Sequence, residues 1–527
     1  MTYFCFMALQ TKVLICGAGP TGLMMACQLK RFGVDCIVID PKPGIVKESR
    51  ALAVQARTLQ IYEQMGIADK ALLQGTTANK IKIIINGKRL YEVPLQQLGE
   101  GLSAYDFLFI LEQNKNEKIL YDHLQELGGE VLWEHSLESF TQHNDGVIAV
   151  VDNSSGEQTE INADWLIGAD GAKSQVRHQL DVPFKGGTYE NIFIVADTSA
   201  VWPWGHDCLS LCLTANGFAG LFPMQGDNRF RLIGTFPKQF LPEEVTDFSE
   251  IQTDVAKQIK IDVNFTNTNW FSIYNVHHRC VSNFTHNRIF LAGDAAHVHS
   301  PAGGQGMNTG LQDAYNLAWK LALVVNGQAD KTLLNSYNEE RLPVAKRLVK
   351  TTDRAFAIVT SDNWFLKFLR LNIAPLILSR VLSIKSFGRF AFKAISQIGI
   401  NYSKSALSHS ENKNLLQSGS LVPFVNINSK VIDEHLRFNG FTVLLFDTML
   451  RDDQKEDIQN SFLAKFQFID ITRSEINEDA FKKFKANTSA LFLIRPDNYV
   501  GFASETISVT ELKKYLTEIV KLAVKSL

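Results

Sequence analysis

The sequence predicts an α/β protein whose first unit is built on a parallel sheet. Apolar strand-like runs at residues 12–16 and 36–40 flank an amphipathic helix, and a glycine-rich turn joins the first run to that helix. A second strand-to-helix turn rich in glycine follows at residues 289–308. With 527 residues, 45% of them hydrophobic, the chain is long enough for two to three domains with substantial cores.

The first turn reads Gly17-Ala-Gly19-Pro-Thr-Gly22. In a dinucleotide-binding βαβ unit the first glycine permits the tight turn, the second lets a pyrophosphate approach the backbone, and the third lets the helix pack on the strand. Asp40 ends the following strand, where such a unit places a carboxylate for ribose hydroxyls. Three spaced glycines alone are a weak signal, but their place between strand and helix predicts a nucleotide site. A purely structural turn is the alternative.

The second turn begins at Asp294, directly after a buried strand, and passes Pro301 and several glycines into a helix that we expect to start near Met307. Backbone N–H groups converge at the start of a helix, and they favour an electron-rich or anionic partner. This pattern indicates a place to hold such a ring, although on its own it could be a tight strand-to-helix connection.

A third segment, Leu166-Ile-Gly168-Ala-Asp170-Gly171, completes a set that resembles the aromatic-hydroxylating flavoprotein monooxygenases, the class A or para-hydroxybenzoate hydroxylase-like group. The resemblance implies a Rossmann-like FAD-binding domain with an inserted antiparallel-sheet substrate domain. Further matching positions are Ser49, Arg50, Gln113, Glu117, Asp313, Asn316, Tyr337, Glu340 and Arg341.

The resemblance implies FAD as the resident cofactor and NADPH or NADH as a transient co-substrate. The pyrophosphate and adenosine ribose would be bound by Gly17, Gly19, Gly22 and Asp40, with positive charge from Arg50. Gln113 and Asp294 would contact the ribityl and phosphate side, and Asp170 belongs to a signature associated with FAD and nicotinamide binding. Pro301 would lie along the flavin, and Gly306, Met307 and Asn308 would present backbone N–H groups to its pyrimidine edge.

In this family reduced flavin reacts with O₂, and the C4a-hydroperoxide transfers oxygen to an electron-rich ring, so the resemblance implies hydroxylation of an aromatic, phenolic or polyketide-like small molecule. A phenol would need a base or charged partner to ionise at neutral pH. The sequence does not identify that catalytic residue. The residues considered, each more often structural, are Tyr189, His206, Arg231 and His278.

The predicted domains are an FAD-binding domain at 1–177 and 286–355, a substrate-binding sheet at 178–285, linker helices at 356–414 and a final domain at 415–527. The last resembles the thioredoxin-like domain of longer family members. All seven cysteines lie at or before Cys280, so this domain has no Cys-x-x-Cys and cannot run dithiol chemistry. We predict that its role is structural.

Composition excludes several other classes of protein. A net charge of −2 gives no bulk attraction for nucleic acid, and the scattered cysteines lack metal-ligand spacing. No basic leader precedes the apolar opening residues, and no run is long enough to span a membrane. These features predict a cytoplasmic enzyme without a metal, either a monomer or a homodimer.

Residues 363–410 contain no Asp or Glu, while basic and aromatic residues alternate there. A basic amphipathic helix of this kind can lie on an anionic membrane surface. The alternative that we favour from the sequence is a set of linker helices whose apolar faces pack inward.

Three other functions remain open. A flavin-dependent halogenase would carry Trp-x-Trp-x-Ile-Pro, but Trp202-Pro-Trp204 here lacks the following Ile and Pro. A non-hydroxylating FAD oxidoreductase, such as a prenyl-lipid reductase, would fit the basic segment. A flavin-binding protein without turnover is the third.

Overall fold

The computed structural model of the chain describes residues 8–46, 51–95, 98–215, 217–236, 245–301, 303–361, 363–382 and 384–525. The first turn joins strand β1 (Leu9–Cys16) to helix α1 (Pro20–Arg31). The elements that follow, up to residue 180, are β2 (Cys36–Asp40), β3 (Ala53–Val54), α2 (Ala56–Met65), α3 (Ala68–Leu72), β4 (Thr76–Ala78), β5 (Lys80–Ile85), β6 (Arg89–Pro94), β7 (Leu108–Ile110), α4 (Gln113–Glu126), β8 (Val131–Trp133), β9 (His135–Gln142), β10 (Val147–Asn153), β11 (Gln158–Gly168) and α5 (Gln175–Gln179).

A run of mainly long strands comes next, followed by helices. The strands and one helix are β12 (Lys185–Val201), β13 (Leu209–Thr214), β14 (Gly217–Pro223), β15 (Arg229–Phe236), α6 (Gln252–Ile259), β16 (Asn264–Cys280), β17 (Thr285–His286), β18 (Ile289–Leu291) and β19 (His297–Val298). The helices are α7 (Gly306–Val325), α8 (Asn335–Thr360), α9 (Trp364–Phe368), α10 (Ala374–Leu382) and α11 (Lys385–Ile395). Between α9 and α10 the chain makes one π-helical turn, Leu369–Ile373.

The first sheet contains a run of parallel strands in the order β8, β2, β1, β11 and β18. The C-terminal half of β1, from Val13 to Cys16, is buried, as expected for a parallel strand with helices on both faces. α1 and α7 pack together against this sheet. Both glycine-rich turns therefore lie at the carboxyl ends of parallel strands, β1 and β18, which flank β11 on either side. This is the edge where α/β folds bind ligands.

The second sheet has the order β19, β16, β12, β15, β14, β13, β5 and β6, and every pair except β13 with β5 is antiparallel. The sequence placed this sheet within 178–285, but β5 and β6 come from the preceding segment. They are recruited because β13 exposes an edge, and β5 satisfies that edge from Ile81 to Ile85. The second sheet thus takes β5 and β6 from before residue 178 and β19 from after residue 285.

The C-terminal unit contains β20 (His409–Ser410), β21 (Asn426–Ile427), β22 (Lys430–Val431), α12 (Ile432–His435), β23 (Phe441–Phe446), α13 (Asp452–Ser461), β24 (Phe466–Ile471), α14 (Glu478–Phe484), β25 (Ala490–Ile494), β26 (Val500–Ser504) and α15 (Val509–Lys514). Its main sheet runs β20, β26, β25, β23, β24, with β23 and β24 parallel and β25 antiparallel to both β23 and β26. The α/β class is confirmed, and the thioredoxin-like assignment of this unit stays a prediction.

The C-terminal unit shares a core with the first one. Trp319 and Leu323 of α7 belong to the same buried cluster as Phe441 of β23 and Leu493 of β25. Buried side chains of the first unit also bond to the turn before β26, since Arg57 donates to the Asp497 carbonyl and Gln64 to that of Pro496. The two units are therefore joined by packing as well as by chain. In the part of the chain described here, no helix has both the length and the apolar character needed to cross a bilayer.

Candidate functional site

The first glycine turn leaves space at one glycine and none at the other two. A Cβ on Gly22 would stand 1.8 Å from the Gly17 carbonyl oxygen, and one on Gly17, whose φ is +105°, would stand 2.4 Å from that of Ala169. A Cβ on Gly19 would meet nothing within 4 Å. Gly17 and Gly22 are therefore needed for packing, whereas Gly19 keeps an open space at the start of α1.

Asp40 fixes the shape of this turn. Its buried carboxylate accepts the N–H of Ala18 at 2.7 Å and that of Lys42 at 2.9 Å. The Lys42 ammonium lies 3.5 Å from the same carboxylate. Asp40 thus lies where the sequence placed it, beside the open space at Gly19, and its contact with a ribose stays a prediction.

The segment around Asp170 lies against the first turn and is tied to the second. Asp170 accepts the N–H of Val176 at 3.1 Å, while its other oxygen is buried without a partner among the described residues. Burial raises the pKa of this carboxyl. Arg177 donates to the carbonyl of Ala172 at 3.0 Å and to that of Ala295 at 3.1 Å, and so joins this segment to the turn that carries Asp294.

Asp294 is exposed within a single 3-10 turn, Gly293–Ala295. Gly293 lies so close to α1 that a Cβ there would stand 2.5 Å from the Thr21 hydroxyl. Gly310 of α7 is equally close, at 2.4 Å from the same oxygen. Because Thr21 is two residues beyond Gly19, the Asp294 turn lies beside the open space at the start of α1.

A buried network behind Asp294 holds this turn in place. The Asp313 carboxylate accepts the Gly293 N–H at 3.1 Å and the Arg341 Nε–H at 2.7 Å, and His297 Nε2 lies 2.8 Å from it. Burial alone would raise the pKa of Asp313, but Arg341 and His297 lower it overall. The sequence matched Asp313 and Arg341 to the family pattern without assigning them this role.

Helix α7 starts at Gly306, one residue before the predicted Met307, and Gln305 at its N-cap makes no side-chain capping bond. The first N–H groups of a helix have no intrahelical partner, and in α7 these belong to Gly306, Met307 and Asn308. The partly exposed Pro301 lies five residues before the helix start. The Asn308 side chain is fully used inside the protein: it accepts from Gln55 and Thr58 and donates to Ala53 and Gly304.

His299 lies beside the start of α7. Its Nδ1 is 2.6 Å from the Ser300 carbonyl oxygen, which can only accept, so the ring proton is on Nδ1 and Nε2 is an acceptor. Nε2 is buried and has no partner among the described residues. It would stand 3.3 Å from a Cβ on Gly306. Burial, with a smaller contribution from His297, lowers the pKa of His299 to about 4. Sequence analysis missed this residue, although it follows Asp294 closely.

Gln113 and Arg231 converge on one residue, Ala51. Gln113 accepts the Ala51 N–H at 3.1 Å, and Arg231 donates to the Ala51 carbonyl at 3.1 Å. Arg231 is fully buried and is also held by Asp197, with nitrogen-to-oxygen distances of 2.6 and 2.7 Å. Arg50 itself lies outside the described residues. Ala51, the next residue, is nonetheless held by Gln113 of the first unit and by Arg231 of the second sheet. Arg231 is therefore a structural link between the second sheet and this loop.

The two faces of the second sheet differ in what they pack against. Ile194, Leu232 and Leu221 share a core with α6. Side chains alternate between the two faces along a strand. Phe193, Ile233 and Phe218 each lie an odd number of residues from one of these side chains, so they face the other way, and they pack with Phe356 of α8. On this second face Phe218 and Ile233 are only partly buried. The face that turns toward the first unit is therefore mainly apolar and partly open.

Two of the candidate polar residues of the second sheet, Tyr189 and His278, lie close together. Tyr189 donates to Asp353 of α8 at 2.6 Å, and its ring lies 4.8 Å from that of His278. His278 Nδ1 is 3.8 Å from the Asp353 carboxylate. Burial and the bond to Asp353 raise the pKa of Tyr189. His206 lies elsewhere, with Nε2 2.8 Å from the carbonyl of Arg229.

The residues present fit an FAD. Gly19 provides room for a pyrophosphate at a helix start, the uncapped start of α7 provides free donors, and Asp170 and His299 leave buried polar atoms without partners. These features line one edge of the first sheet, as an extended dinucleotide requires. Among the described residues no cluster of His, Cys, Asp or Glu could hold a metal ion.

Comparison with known proteins identifies the family. Residues 10–352 match the family described as the FAD binding domain. The chain is 30% identical over 522 residues to a flavin-dependent monooxygenase of Mycobacteroides abscessus, a match that covers 96% of this chain and 100% of that one. The chain therefore belongs to the FAD-dependent monooxygenases, which confirms both the resemblance and the cofactor.

Two further comparisons agree. The chain is 37% identical over 355 residues to 6-methylpretetramide 4-monooxygenase of Streptomyces rimosus, but this match covers 67% of this chain and 63% of that protein, just under two thirds of its length. The crystal structure of the flavin-dependent monooxygenase PieE in complex with FAD and substrate superposes with a TM-score of 0.81, over 97% of this chain and 99% of that one. At 21% identity this last likeness is one of fold.

Proposed function

We propose that this protein hydroxylates an aromatic small molecule, phenolic or polyketide-like, with O₂ as the oxygen source and NADPH or NADH as the reductant. The observation that carries the proposal is the mainly apolar, partly open sheet face of Phe193, Phe218 and Ile233, which packs beside Phe356 of α8. An aromatic ring would be bound there by apolar contact and held over the flavin. The 6-methylpretetramide monooxygenase among its relatives supports a polycyclic aromatic substrate.

The cofactor contacts are proposed from the sequence pattern, supported for the described residues by their positions around the two turns; Arg50 is proposed from the sequence pattern alone. Gly17, Gly19, Gly22 and Asp40 would hold the pyrophosphate and ribose, with Arg50, Gln113, Asp170 and Asp294 along the adjoining edge. Pro301 would lie along the ring system, and the N–H groups of Gly306, Met307 and Asn308 would stabilise negative charge on its pyrimidine edge. When bound, FAD supplies hydride acceptance and activation of O₂, while the protein orients the substrate and excludes water.

The Tyr189 and Asp353 pair is the proposed route for the phenolic proton. A phenol near the sheet face and Ser300 would pass its proton to Asp353 through the Tyr189 hydroxyl, because that hydroxyl already donates to the carboxylate at 2.6 Å. The Asp353 side chain is 41% exposed, so the proton can continue to solvent. Phenolate is the more reactive form toward an electrophilic oxygen, which gives the pair a function in the reaction.

The experiment is to follow NADPH and NADH oxidation in air while phenols, hydroxylated polyketides and other polycyclic aromatics are screened under ¹⁸O₂. We expect one class to accelerate oxidation and to gain one labelled oxygen. Accelerated oxidation with an unlabelled product would favour a non-hydroxylating FAD oxidoreductase. Bound flavin without stimulation by any compound would favour a flavin-binding protein without turnover, and a chlorinated product in the presence of chloride would indicate a halogenase.

The proton route is tested separately with Asp353→Asn. The variant should keep its flavin and its substrate affinity, but its kcat with a phenol should fall and become more dependent on pH, because ionisation of the phenol must then occur in solution. The methyl ether of the same substrate cannot ionise, so any residual turnover of it should be unaffected. An equal loss with both compounds would contradict the route.

A further inference from the structure

The outer side of the linker helices carries an unusual surface, which we name the basic-aromatic face. Trp364 and Phe390 are 76% and 74% exposed, among the most exposed large apolar side chains described. The other exposed members are Phe365, Phe368, Phe387, Arg380, Lys385 and Lys393. This differs from the sequence prediction that the apolar faces of these helices pack inward.

The inner sides of the same helices are already anchored, so loose packing does not explain the exposure. Leu371 and Leu382 join the apolar cluster of Ile83 and Ile85 on the second sheet. A Cβ on Gly388 would stand 2.6 Å from Leu98, and the buried Arg370 donates to the carbonyls of Thr214 and Ala215. Among the described residues, the inner apolar side of these helices is covered and the outer one is not.

The charge of this segment is one-sided. Residues 363–395 contain six Lys or Arg and no Asp or Glu, in a chain whose net charge is −2. Among the described residues, the carboxylate of Glu100 lies 3.6 Å from the Lys385 ammonium, and Glu100 is itself exposed. Two copies docked through this same face would bring like charges together, which opposes a symmetric dimer at this surface. A partner that is both negatively charged and apolar would complement the cations and the exposed aromatic rings of this face.

We propose that the basic-aromatic face docks on the surface of an anionic phospholipid bilayer. Exposed aromatic rings enter the boundary between head groups and acyl chains, and the intervening cations pair with the lipid phosphates. The amphipathic pattern of α11, with Phe387 and Phe390 outward and Gly388 inward, suits a helix that lies in the plane of that boundary.

The position of α11 relates this surface to the site. Gln305, at the N-cap of α7, donates to the carbonyls of Ala394 and Ile395 at 3.3 and 3.4 Å. The last turn of α11 therefore touches the segment that opens the flavin-binding helix. A docked bilayer would lie beside that end of the site, whatever the substrate of the enzyme.

The test is cosedimentation of the flavin-loaded full-length protein with vesicles of phosphatidylglycerol and phosphatidylcholine, compared with vesicles of phosphatidylcholine alone. We expect binding to the anionic vesicles that weakens as salt is added, a blue shift of Trp364 emission, and little binding to the neutral vesicles. Protein that stays in the supernatant with both vesicles would overturn the proposal, as would equal binding to both.

Two paired variants assign the binding to this face. Phe387→Ser with Phe390→Ser, and separately Arg380→Glu with Lys393→Glu, should each lower the partition coefficient by about tenfold or more. The matched controls are Met449→Ser, which removes a side chain that is 73% exposed elsewhere, and Lys430→Glu on the hairpin of β21 and β22. Flavin content shows that each variant is folded. Unchanged vesicle binding in both face variants, or a change in oligomeric state instead, would overturn the assignment.

Discussion

Two glycines three positions apart limit the chain in different ways. Gly19 is in an extended conformation with open space beside it, whereas a Cβ on Gly22 would overlap the Gly17 carbonyl at 1.8 Å. Gly19→Ala should therefore leave the apo-protein as stable as the wild type and lower FAD affinity by roughly tenfold or more, because the methyl group occupies the pyrophosphate space. Gly22→Ala should destabilise the apo-protein itself, by roughly 1–3 kcal/mol.

The measurement is the flavin-to-protein absorbance ratio after titration with FAD, with thermal unfolding of the apo-proteins beside it. Each glycine is the control for the other. Full flavin affinity in Gly19→Ala would show that the pyrophosphate does not bind at this turn.

His299 gives the second residue-scale prediction. Burial lowers its pKa to about 4, below the ordinary value of 6.5, so the folded protein keeps the neutral ring. The unfolded chain binds the proton more readily, and stability is therefore lost as the pH falls from about 6.5 toward about 4. In His299→Leu this loss should be smaller.

Melting temperatures of the two apo-proteins at about pH 7 and about pH 5 test this. The difference between wild type and variant isolates His299 from carboxyl groups that titrate in both. A parallel fall in the two proteins would contradict the assignment.

How far a site can be predicted depends on the range of its interactions. The turns of Gly17 and Asp294 could be located because each uses residues within one strand-to-helix connection. Tyr189 and Asp353 could not be paired, since they are distant in sequence and meet only when β12 packs on α8. The sequence also could not predict that His299 Nε2 is an acceptor, because the tautomer is set by the contact between Nδ1 and the Ser300 carbonyl in the folded chain.

At the scale of elements, a buried ionic network joins α7, α8 and the turn between β25 and β26. The Glu340 carboxylate accepts from Lys320 at 2.8 Å and from Arg495 at 2.6 and 2.9 Å. All three side chains are essentially without solvent contact. Burial lowers the pKa of Lys320 to about 8 even with Glu340 beside it. Glu340→Ala should destabilise the protein by about 3–5 kcal/mol, because Lys320 would remain buried without its carboxylate and Arg495 would lose one of its two carboxylate partners, keeping Asp497.

Urea unfolding followed by tryptophan emission gives the change in free energy. Asp457→Ala is the control, since it removes an exposed partner of Lys513 and should change stability by less than about 1 kcal/mol. Equal effects in the two variants would mean that the network contributes no more than a surface pair.

Local patterns also set a limit on predicting the elements. The sequence predicted an antiparallel sheet within residues 178–285, and β13 and β15 are antiparallel partners of β14 in such a sheet. The partner of the β13 edge could not be predicted, because strand pairing is decided by which distant segment reaches that edge with matching apolar residues. Helices do lie between residues 364 and 395, but whether their outer aromatic rings are covered cannot be predicted from local sequence, because it depends on which other segments pack against them.

For the whole molecule, the shared core makes the C-terminal unit part of the fold of the first unit. A chain truncated after residue 414 would expose Trp319, Leu323 and Leu333, which pack with the C-terminal sheet, and would leave Lys320 and Glu340 without Arg495. We expect such a chain to be recovered mainly in the insoluble fraction, or to melt well below the full-length protein. A soluble, flavin-loaded product with the original melting temperature would show that the units are independent.

Trp319 lies on that boundary, with its ring 6.1 Å from Phe441 and the guanidinium of Arg495 5.4 Å from its centroid. The indole is almost completely shielded from water. Its emission should therefore shift toward longer wavelengths when the contact between the two units is lost during unfolding. Trp319 fluorescence therefore reports whether the two units are packed together, and it can be measured alone once the other tryptophans are replaced by phenylalanine.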